Sequence, residues 1–459
     1  MISSRNSLAR AGVEKATIPH LNLSVIYRPI TSLLLDPKNP REHAPKQVRQ
    51  LAASIDTFGM IVPILVDANF KVLCGHGRIL ASELLGIQEV PTITVDHLTS
   101  VQARAFLIAD NRLTEIATWD DALLAEHFQI LSSVELDFSL DVTGFDMGEI
   151  DVRIQSFESP ARKADPADSL SAPMPGPAVT VPEDVWRLGR HRLLCADALD
   201  PASYTTLMNC KRATMVCCDP PYNVAIAGNV SGLGAIVHRE FAMASGEMNR
   251  PEFTGFLTRF FSHLVNHSID GSLHYVFIDW RHLGEMTAAG DSVYTELKNV
   301  CVWVKDNGGM GSFYRSRHEM VFVWKSGNGA HQNHVQLGQF GRNRTNIWEY
   351  ASANSFSRAT DEGNLLALHP TVKPVALIAD AIMDASRRGD IVLDPFVGSG
   401  TTIIAAERVG RVAFAMEIDP VYVDAAVRRW QAYTGDRAVH AVTGQSFDER
   451  ASTRGADHD

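Results

Sequence analysis

The chain has 459 residues, which is too many for one typical hydrophobic core, so we expect two or three domains. It is 45% hydrophobic and 21% charged, and no apolar run reaches the roughly 18 residues that a membrane span needs. The first residues lack the apolar core of a signal peptide, and the six cysteines form no CxxC pair, so we expect a cytoplasmic protein with free thiols and no metal site.

The net charge of −11 is unevenly distributed along the chain. Residues 134–184 alone contribute −8, whereas residues 301–350 carry six basic residues against three acidic ones. Basic residues among glycine, asparagine and aromatic side chains can contact phosphates, although an ordinary solvated surface explains the composition about equally well. The candidate DNA contacts in this stretch are Lys305, Arg315, Arg317, Arg342 and Arg344.

The amino-terminal part, residues 21–115, has the pattern of a small α/β domain. Pro45 and Gly59 bound a stretch with apolar residues at helical spacing, which predicts a helix. The segments "IVPILVD" and "FKVLC" predict a hairpin, and "GHGR", the helical "ILASELLG" and the strand "VPTITVD" follow. Residues 116–156 are mostly helical in pattern, without a clear helix-turn-helix signal.

A domain boundary is predicted at residues 157–184, which hold six prolines and few large apolar residues. Proline fixes φ and removes a backbone donor, so this composition favours an extended and poorly packed linker. After it, "DVWRLGRHRLLCAD" predicts a hairpin, and strands then alternate with helices over residues 185–448. One such helix is predicted in "KPVALIADAIMDASRRG", with both arginines in its last turn. The alternation indicates an α/β fold with a mostly parallel sheet covered on both faces.

The segment "VLDPFVGSGTT" has the pattern of a ligand-binding loop between a strand and a helix. Gly398 and Gly400 permit a tight turn and the close approach of a ligand. The spacing is not GxGxxG and no GK[ST] follows, which disfavours NAD and ATP. Glu417 ends the next strand and is placed to accept hydrogen bonds from ribose hydroxyls. These features suit S-adenosylmethionine, although a plain strand–helix turn stays an alternative.

The segment "CCDPPYN" predicts a rigid turn at the carboxyl end of an apolar strand, where such sheets bind ligands. Asp219 offers an acceptor carboxylate, Pro220 a fixed carbonyl, Pro221 further rigidity and Tyr222 an aromatic face. Together they can hold an exocyclic amino group of a planar base. A proline-stiffened loop with a packed tyrosine explains the motif alone equally well.

The three segments "DPPY", "HPTVKP" and "DPFVGSGTT" together resemble the motifs of amino-directed DNA methyltransferases, in the order of the permuted group. The resemblance implies a Rossmann-like methyltransferase sheet over residues 185–448, with target recognition inside residues 223–365. It implies that Asp219, Pro220, Pro221 and Tyr222 hold the flipped target base. It also implies these cofactor-binding residues: Asp197, Thr371, Lys373, Asp394, Phe396, Gly398, Gly400, Thr401 and Glu417.

The segment "LDPKNPREHAPKQVRQLAASIDTFG…GHGR" resembles the ParB/sulfiredoxin-like domain. In that family a GERR-type box opens a helix and binds phosphates through backbone amides and arginine. Gly75 and Arg78 match the box, whereas His76 and Gly77 replace its glutamate and first arginine. Nucleotide binding, DNA-backbone binding and a scaffold role therefore all stay open for this domain.

The sequence as a whole predicts an S-adenosylmethionine-dependent DNA methyltransferase acting on double-stranded DNA, with adenine N6 as the favoured target. The alternatives are cytosine N4, or a ParB-like DNA-binding regulatory protein with a degenerate methylase half. Methylation of a cytosine carbon would need a nucleophilic thiol, and no Pro–Cys dipeptide is present. The sequence leaves open the recognition site, a homodimer and a restriction partner.

Overall fold

The computed structural model describes residues 21–134, 136–158, 166–168, 177–224, 244, 246–306, 308, 314–338, 342–351 and 372–456. The described residues divide into two compact units. The first comprises residues up to 120 together with 136–145, and the second comprises 121–135 and everything from 146 onward. In the described part, no helix has the length and apolar character needed to cross a membrane.

The first unit is a four-stranded sheet in the order β1-β4-β2-β3, with helices beside it. The strands β2 and β3 form the predicted antiparallel hairpin, and β2 pairs in parallel with β4. The core holds Leu33, Ile64, Val66, Val72, Ile79 and Val90. The element bounds are β1 (Val25–Pro29), α1 (Pro45–Phe58), β2 (Ile64–Val66), β3 (Val72–Cys74), α2 (His76–Leu84), β4 (Glu89–Thr94) and α3 (Ser100–Glu115).

The second unit contains a ten-stranded sheet in the order β11-β9-β10-β8-β7-β12-β13-β6-β5-β14. Its first half is β5 (Val185–Leu188), β6 (His191–Cys195), β7 (Ala213–Cys218), β8 (Ser268–Ile278) and β9 (Glu296–Val304). Its second half is β10 (His318–Lys325), β11 (Ile347–Glu349), β12 (Ile391–Asp394), β13 (Val412–Glu417) and β14 (Val439–His440). The central strands β8, β7, β12, β13 and β6 are parallel, as the alternating pattern predicts.

The helices of the second unit cover both faces of this sheet. They are α4 (Asp121–Ser133), α5 (Met147–Glu158), α6 (Pro201–Met208), α7 (Arg250–Asn266), α8 (Leu283–Val293), α9 (Val375–Ala385), α10 (Thr401–Arg408), α11 (Pro420–Thr434) and α12 (Phe447–Ala456). Along β7, Met215 and Cys217 enter one core with α9 and α10, whereas Val216 and Cys218 enter the other with α7. Burial on both faces explains why this strand is apolar throughout.

The chain order places two strand ends side by side at the centre of the sheet. From β7 the chain moves to β8 on one side, whereas from β12 it moves to β13 on the other. Adjacent parallel strands with diverging connections create a crevice at their carboxyl ends, which is where open α/β sheets bind ligands. The turn "DPPY" after β7 and the loop "DPFVGSG" after β12 therefore lie next to each other.

Two expectations from the sequence are wrong, one about the end of a helix and one about the predicted linker. The helix α9 ends at Ala385 because Ser386 is extended (φ −148, ψ 160), so Arg387 and Arg388 lie beyond its last turn. The described parts of residues 157–184 are also packed on the second unit and do not form a loose linker. Within them, Ala167, Val179 and Thr180 are buried. The amides of Val179 and Thr180 donate to the Asp424 carboxylate at 2.7 and 3.0 Å.

The helix α5 is fixed to the second unit by a buried ion pair. Asp151 and Arg411 are both fully buried, and the two guanidinium nitrogens donate to the two carboxylate oxygens at 3.1 and 2.8 Å. Arg388 lies 3.2 Å from the same carboxylate. Bidentate pairing of this kind fixes orientation as well as position. The residues 147–155 therefore belong structurally to the second unit.

Candidate active site

A cleft opens at the carboxyl ends of β7, β12 and β13 in the second unit. Most of its lining comes from four segments: the turn after β7, residues 372 and 373, the glycine loop after β12, and residues within 417–422 after β13. The cleft brings together most residues that the sequence predicted as a site. The predicted residues on its wall are Asp219, Pro220, Pro221, Tyr222, Lys373, Asp394, Phe396, Gly398, Thr401 and Glu417, and Gly400 is not among the lining residues.

The glycine loop owes its shape to two left-handed glycines and two carboxylates. Gly398 and Gly400 have φ values of 52° and 87°, and a Cβ on Gly400 would lie 2.9 Å from the Cβ of Ala426. Asp394 accepts hydrogen bonds from the amide of Phe396 at 3.0 Å and from Thr402 Oγ1 at 2.6 Å. Asp394 therefore holds the loop in place from below, in addition to lining the cleft.

Glu417 joins the glycine loop to the next strand. Its Oε2 accepts from the amide of Gly398 at 3.0 Å, and its Oε1 accepts from the amide of Asp419 at 3.0 Å. A carboxylate oxygen has two lone pairs, so each oxygen can accept one further hydrogen bond from a ligand. Burial raises the pKa of Glu417 to about 7, and burial likewise raises that of Asp394 to about 7. Two such carboxyls favour a cationic or hydroxyl-bearing ligand.

The turn after β7 carries a network of buried charged groups. Tyr222 donates its hydroxyl to Asp219 Oδ1 at 2.5 Å, and the Lys373 ammonium donates to Asp219 Oδ2. The second carboxylate of the network, Glu319 on β10, lies 3.0 Å from the Tyr222 hydroxyl and 3.1 Å from Lys373 Nζ. Its other oxygen accepts from Lys305. Two carboxylates, two ammonium groups and one phenol thus share a single site.

The two carboxylates of this network respond differently to their surroundings. Burial raises the pKa of Asp219, against the lowering effect of the Lys373 ammonium. Burial would also raise the pKa of Glu319, but Lys373 and Lys305 outweigh it and lower that pKa to about 2. Glu319 therefore stays ionised to lower pH than Asp219. Sequence reasoning missed it, and the only available signal was an acid within the otherwise apolar strand "HEMVFVW".

The remaining predicted cofactor residues lie close to the cleft in different ways. Asp197 follows β6 between the cleft-lining residues Ala196 and Ala198, and its Oδ1 accepts from the Leu199 amide at 2.8 Å. Thr401 starts α10, and its hydroxyl accepts from Arg429 at 3.0 Å. Phe396 packs against Phe256 and Phe260. Thr371 lies outside the described residues.

Three of the five basic residues predicted to contact DNA are held by carboxylates. Arg342 is buried and donates to Asp384 at 2.6 Å, and Arg344 donates to the same carboxylate at 2.7 Å. Lys305 pairs with Glu319 inside the cleft network. Moving any of them to a phosphate would break an ion pair that is shielded from solvent, so these three are poor candidates for DNA contacts. The exposed members are Arg315 and Arg317.

In the first unit, the predicted phosphate box opens a helix as expected. Gly75 precedes α2 with a φ of 108°, and no side chain caps this helix start. Arg78 turns inward, where its guanidinium donates to the Pro63 carbonyl at 3.3 Å and burial lowers its pKa. His76 Nε2 accepts from the Asp36 amide at 3.3 Å. Within the described residues, no cluster of three or more His, Cys, Asp or Glu side chains is arranged to hold a metal ion.

Comparison with known families matches most of the chain in three consecutive parts. Residues 213–428 match the DNA methylase family of the N6/N4 type, and residues 17–111 match the ParB N-terminal domain. The chain contains a DNA methylase domain of the N6/N4 type and a ParB N-terminal domain. Residues 122–182 match the helix-turn-helix domain of ParB-methyltransferases, which sequence reasoning did not detect. The comparisons thus confirm both resemblances inferred from the motifs: the ParB-like one in the amino-terminal part and the DNA methyltransferase one in the carboxyl-terminal part.

Individual relatives cover separate parts of this DNA methylase. The type II methyltransferase M2.DpnII of Streptococcus pneumoniae is 23% identical over 249 residues, which are 51% of this chain and 88% of that relative. The ParB-like nuclease domain-containing protein YnaK of Escherichia coli K12 is 40% identical over 80 residues, which are 17% of this chain and 92% of YnaK. M.HpaI of Haemophilus parainfluenzae is 36% identical over 19% of this chain and 26% of its own length.

Two solved structures are similar to about half of this chain. M1.HpyAVI in complex with SAM is 20% identical and covers 52% of this chain and 98% of its own, with a TM-score of 0.35. The cytosine-N4-specific PvuII methyltransferase is 15% identical and covers 58% of this chain and 92% of its own, with a TM-score of 0.41.

Proposed function

We propose that this DNA methylase transfers a methyl group from S-adenosylmethionine to the N6 amino group of adenine in double-stranded DNA. The observation that carries the proposal is the juxtaposition of the Asp219–Tyr222 turn with the glycine loop in one cleft. An acceptor for an amino group and a loop suited to a nucleoside thus open into the same space. The sequence Asp-Pro-Pro-Tyr, with aspartate first, favours adenine over cytosine N4.

The residues of the cleft fit S-adenosylmethionine. Glu417 has oxygens for the ribose hydroxyls, and the apolar wall with Phe396 and Ile418 suits an adenine ring. The left-handed Gly398 lines the cleft and lets the loop pass close to the ligand without a side chain in the way, whereas Gly400 allows the loop to pack against Ala426. The buried acids suit a ligand that carries positive charge. When bound, the cofactor supplies a methyl group made electrophilic by a sulfonium sulfur.

The turn residues act on the target amino group. A base in a duplex must leave the stack before its amino group can enter the cleft. The lone pair of that nitrogen is delocalised into the ring, so the nitrogen is a weak nucleophile. Hydrogen bonds from its protons to the Asp219 carboxylate and the Pro220 carbonyl favour a pyramidal nitrogen and stabilise its developing positive charge. Tyr222 offers a face for the flipped base, and the two prolines keep the acceptors in place.

Methylation at a ring carbon is disfavoured by the state of the nearby thiols. Cys217 and Cys218 precede the turn on β7, and both are buried. Burial raises the pKa of each thiol well above its ordinary value. A nucleophilic thiolate would need the opposite shift. The thiols therefore act as core residues.

Around this centre, Arg315 and Arg317 are the proposed DNA contacts. Both side chains are exposed, and Arg317 bonds the Lys305 carbonyl at 2.9 and 3.1 Å. An exposed guanidinium can contact phosphate or guanine. The domain limits of 21–115, 116–156 and 185–448 stay predictions, as does the cytoplasmic location.

The test is transfer of a labelled methyl group to unmethylated duplex DNA, followed by methylation-aware sequencing of a methylase-free host that expresses the protein. We expect N6-methyladenine at one recognition sequence. The variant Asp219→Asn should be inactive, while Asp200→Asn, which changes an exposed helix cap outside the cleft, should retain activity. N4-methylcytosine would contradict the adenine assignment, and no transfer by the unmodified protein would contradict the function itself.

A further inference from the structure

The charged network around Asp219 contains a carboxylate with no role in the function proposed above. Glu319 lies on β10, about 100 residues along the chain from Asp219, and its side chain is buried. A buried carboxylate costs several kcal/mol to desolvate unless it is well paired, by the general estimate for ions in proteins. Such a group beside the cleft-lining residues Tyr222 and Lys373 calls for an explanation through its contacts.

Asp219 is already engaged before any base arrives. Its Oδ1 accepts from the Tyr222 hydroxyl at 2.5 Å, and its Oδ2 accepts from the Lys373 ammonium. A target amino group brings a further donor to the same carboxylate. Each oxygen of Asp219 still has a lone pair for that donor. The carboxylate then shares its charge among three donors, so the new hydrogen bond is stronger if the internal donors shift part of their hydrogen bonding elsewhere. A second place for those donors therefore favours binding of the amine.

Glu319 provides that second place for both donors. Its Oε2 lies 3.0 Å from the Tyr222 hydroxyl oxygen and 3.1 Å from Lys373 Nζ. A phenol has a single proton and donates strongly to one acceptor at a time, so the hydroxyl has two alternative orientations. The ammonium has three protons and already contacts both carboxylates. Neither donor has to leave the site when it shifts from Asp219 to Glu319.

Lys305 keeps Glu319 ready for this exchange. Its ammonium pairs with Glu319 Oε1, the oxygen that faces away from Tyr222 and Lys373. Among the described residues, the donors that contact Oε2 are the Tyr222 hydroxyl and the Lys373 ammonium. Lys305 also lies 4.8 Å from the centre of the Trp303 ring, which orients it.

We propose that Glu319 is a positioning residue that takes over the Tyr222 hydroxyl and the Lys373 ammonium when the target amine binds Asp219. The inference rests on the proposed function, because it assigns Asp219 to the amine. Glu319 does not touch the substrate. It sets how easily the Asp219 carboxylate accepts a hydrogen bond from the target amine, and it keeps the Lys373 ammonium paired with a carboxylate during the exchange.

The test compares Glu319→Gln with the unmodified full-length protein in single-turnover methyl transfer to duplex DNA, at saturating S-adenosylmethionine, across a range of pH. The glutamine keeps the shape but gives the ammonium no anion to move to. We expect the rate to fall by about 10²-fold, the scale for losing one electrostatic contact in a transition state. The dissociation constant of S-adenosylmethionine should change by less than about twofold, because uniform binding is unaffected.

The pH profile separates this role from a purely structural one. The charged and titratable groups that face Asp219 are Tyr222, Lys373, Glu319, Asp394, Cys217 and Cys218. Of these, Glu319 raises the pKa of Asp219 through its negative charge. The acidic limb of the rate profile should therefore move to lower pH in Glu319→Gln. Glu319→Asp, which restores the charge, should return the limb toward its original position and recover part of the rate.

The matched control is Glu349→Gln, the same change at an exposed residue of the same sheet. It should leave rate, profile and stability unchanged. An unaltered rate in Glu319→Gln would overturn the inference, and so would an equal loss at every pH with a lowered melting temperature. In both cases the proposed function would stand. No transfer by the unmodified protein would instead remove the proposed function, and the inference with it.

Discussion

The affinity for S-adenosylmethionine should rise steeply as the pH rises from about 6 to about 8. Burial in the cleft raises the pKa of Asp394 to about 7 and that of Glu417 to about 7. In water both carboxyls would be ionised above about pH 5. The unliganded cleft therefore holds protons near neutrality. A sulfonium and ribose hydroxyls favour the ionised carboxylates, so binding should release those protons.

The size of the effect follows from the two pKa values. If the bound cofactor keeps one carboxyl ionised, its dissociation constant should fall about tenfold between about pH 6 and pH 8, or roughly 1.4 kcal/mol. If both Asp394 and Glu417 stay ionised, the fall should be about 100-fold, because independent proton terms multiply.

The same shifts act on the unliganded fold with the opposite sign. A carboxyl whose pKa is higher in the folded than in the unfolded state contributes stability below its unfolded value. That contribution is lost as the pH rises through about 7, the folded value for both groups. The increase in melting temperature on adding cofactor should therefore be larger at pH 8 than at pH 6.

Calorimetric titration of the full-length protein with S-adenosylmethionine, in two buffers of different ionisation enthalpy, measures both the affinity and the protons released. Glu417→Gln and Asp394→Asn should each remove about half of the pH dependence on the logarithmic scale, since each removes one of two protons. The exposed Glu349→Gln should remove none. An affinity that is the same at pH 6 and pH 8 would refute the reasoning, as would an unchanged slope in both cleft variants.

Three further changes test separate contacts. Asp219→Asn should slow methyl transfer at least about 10²-fold, with cofactor affinity by calorimetry within about twofold. Gly400→Ala should lower the free energy of unfolding in urea by more than about 1 kcal/mol, because φ is 87° and the new Cβ would meet the Ala426 Cβ at 2.9 Å. Asp151→Asn should lower it by about 3–5 kcal/mol, since Arg411 stays buried without its counter-charge. Unchanged values would contradict the corresponding contact.

Local signals in the sequence were sufficient for the elements that form the cleft. The left-handed turn after β12 needs glycine at Gly398 and Gly400, and the rigid turn after β7 needs its prolines. Each of these requirements depends on the type of a single residue, so it can be recognised from the sequence without the tertiary structure. The end of α9 at Ala385 was missed because Ser386 leaves the helix to join a buried contact with Arg411, which no local signal reveals.

The helix-turn-helix match was missed for a similar reason. The segment 122–182 contains six prolines after residue 157, which a local interpretation takes as a loose linker. Asp151 instead pairs with Arg411, and Thr180 with Asp424, each more than 200 residues further along the chain. Long-range ion pairs and hydrogen bonds of this kind stabilise a segment whose own composition predicts little structure.

The basic stretch 301–350 shows most clearly where sequence composition fails. The sequence gives no way to tell apart Arg315, Arg317, Arg342 and Arg344. In the fold, Arg342 and Arg344 both donate to Asp384, which lies on a helix about 40 residues further along the chain. If a buried guanidinium left its carboxylate, an ion pair shielded from solvent would be lost, at a cost of several kcal/mol. An exposed guanidinium loses only weak, hydrated contacts when it moves onto a phosphate. We therefore expect the DNA contacts among the basic residues that the fold leaves at the surface, and within this stretch Arg315 and Arg317 are exposed.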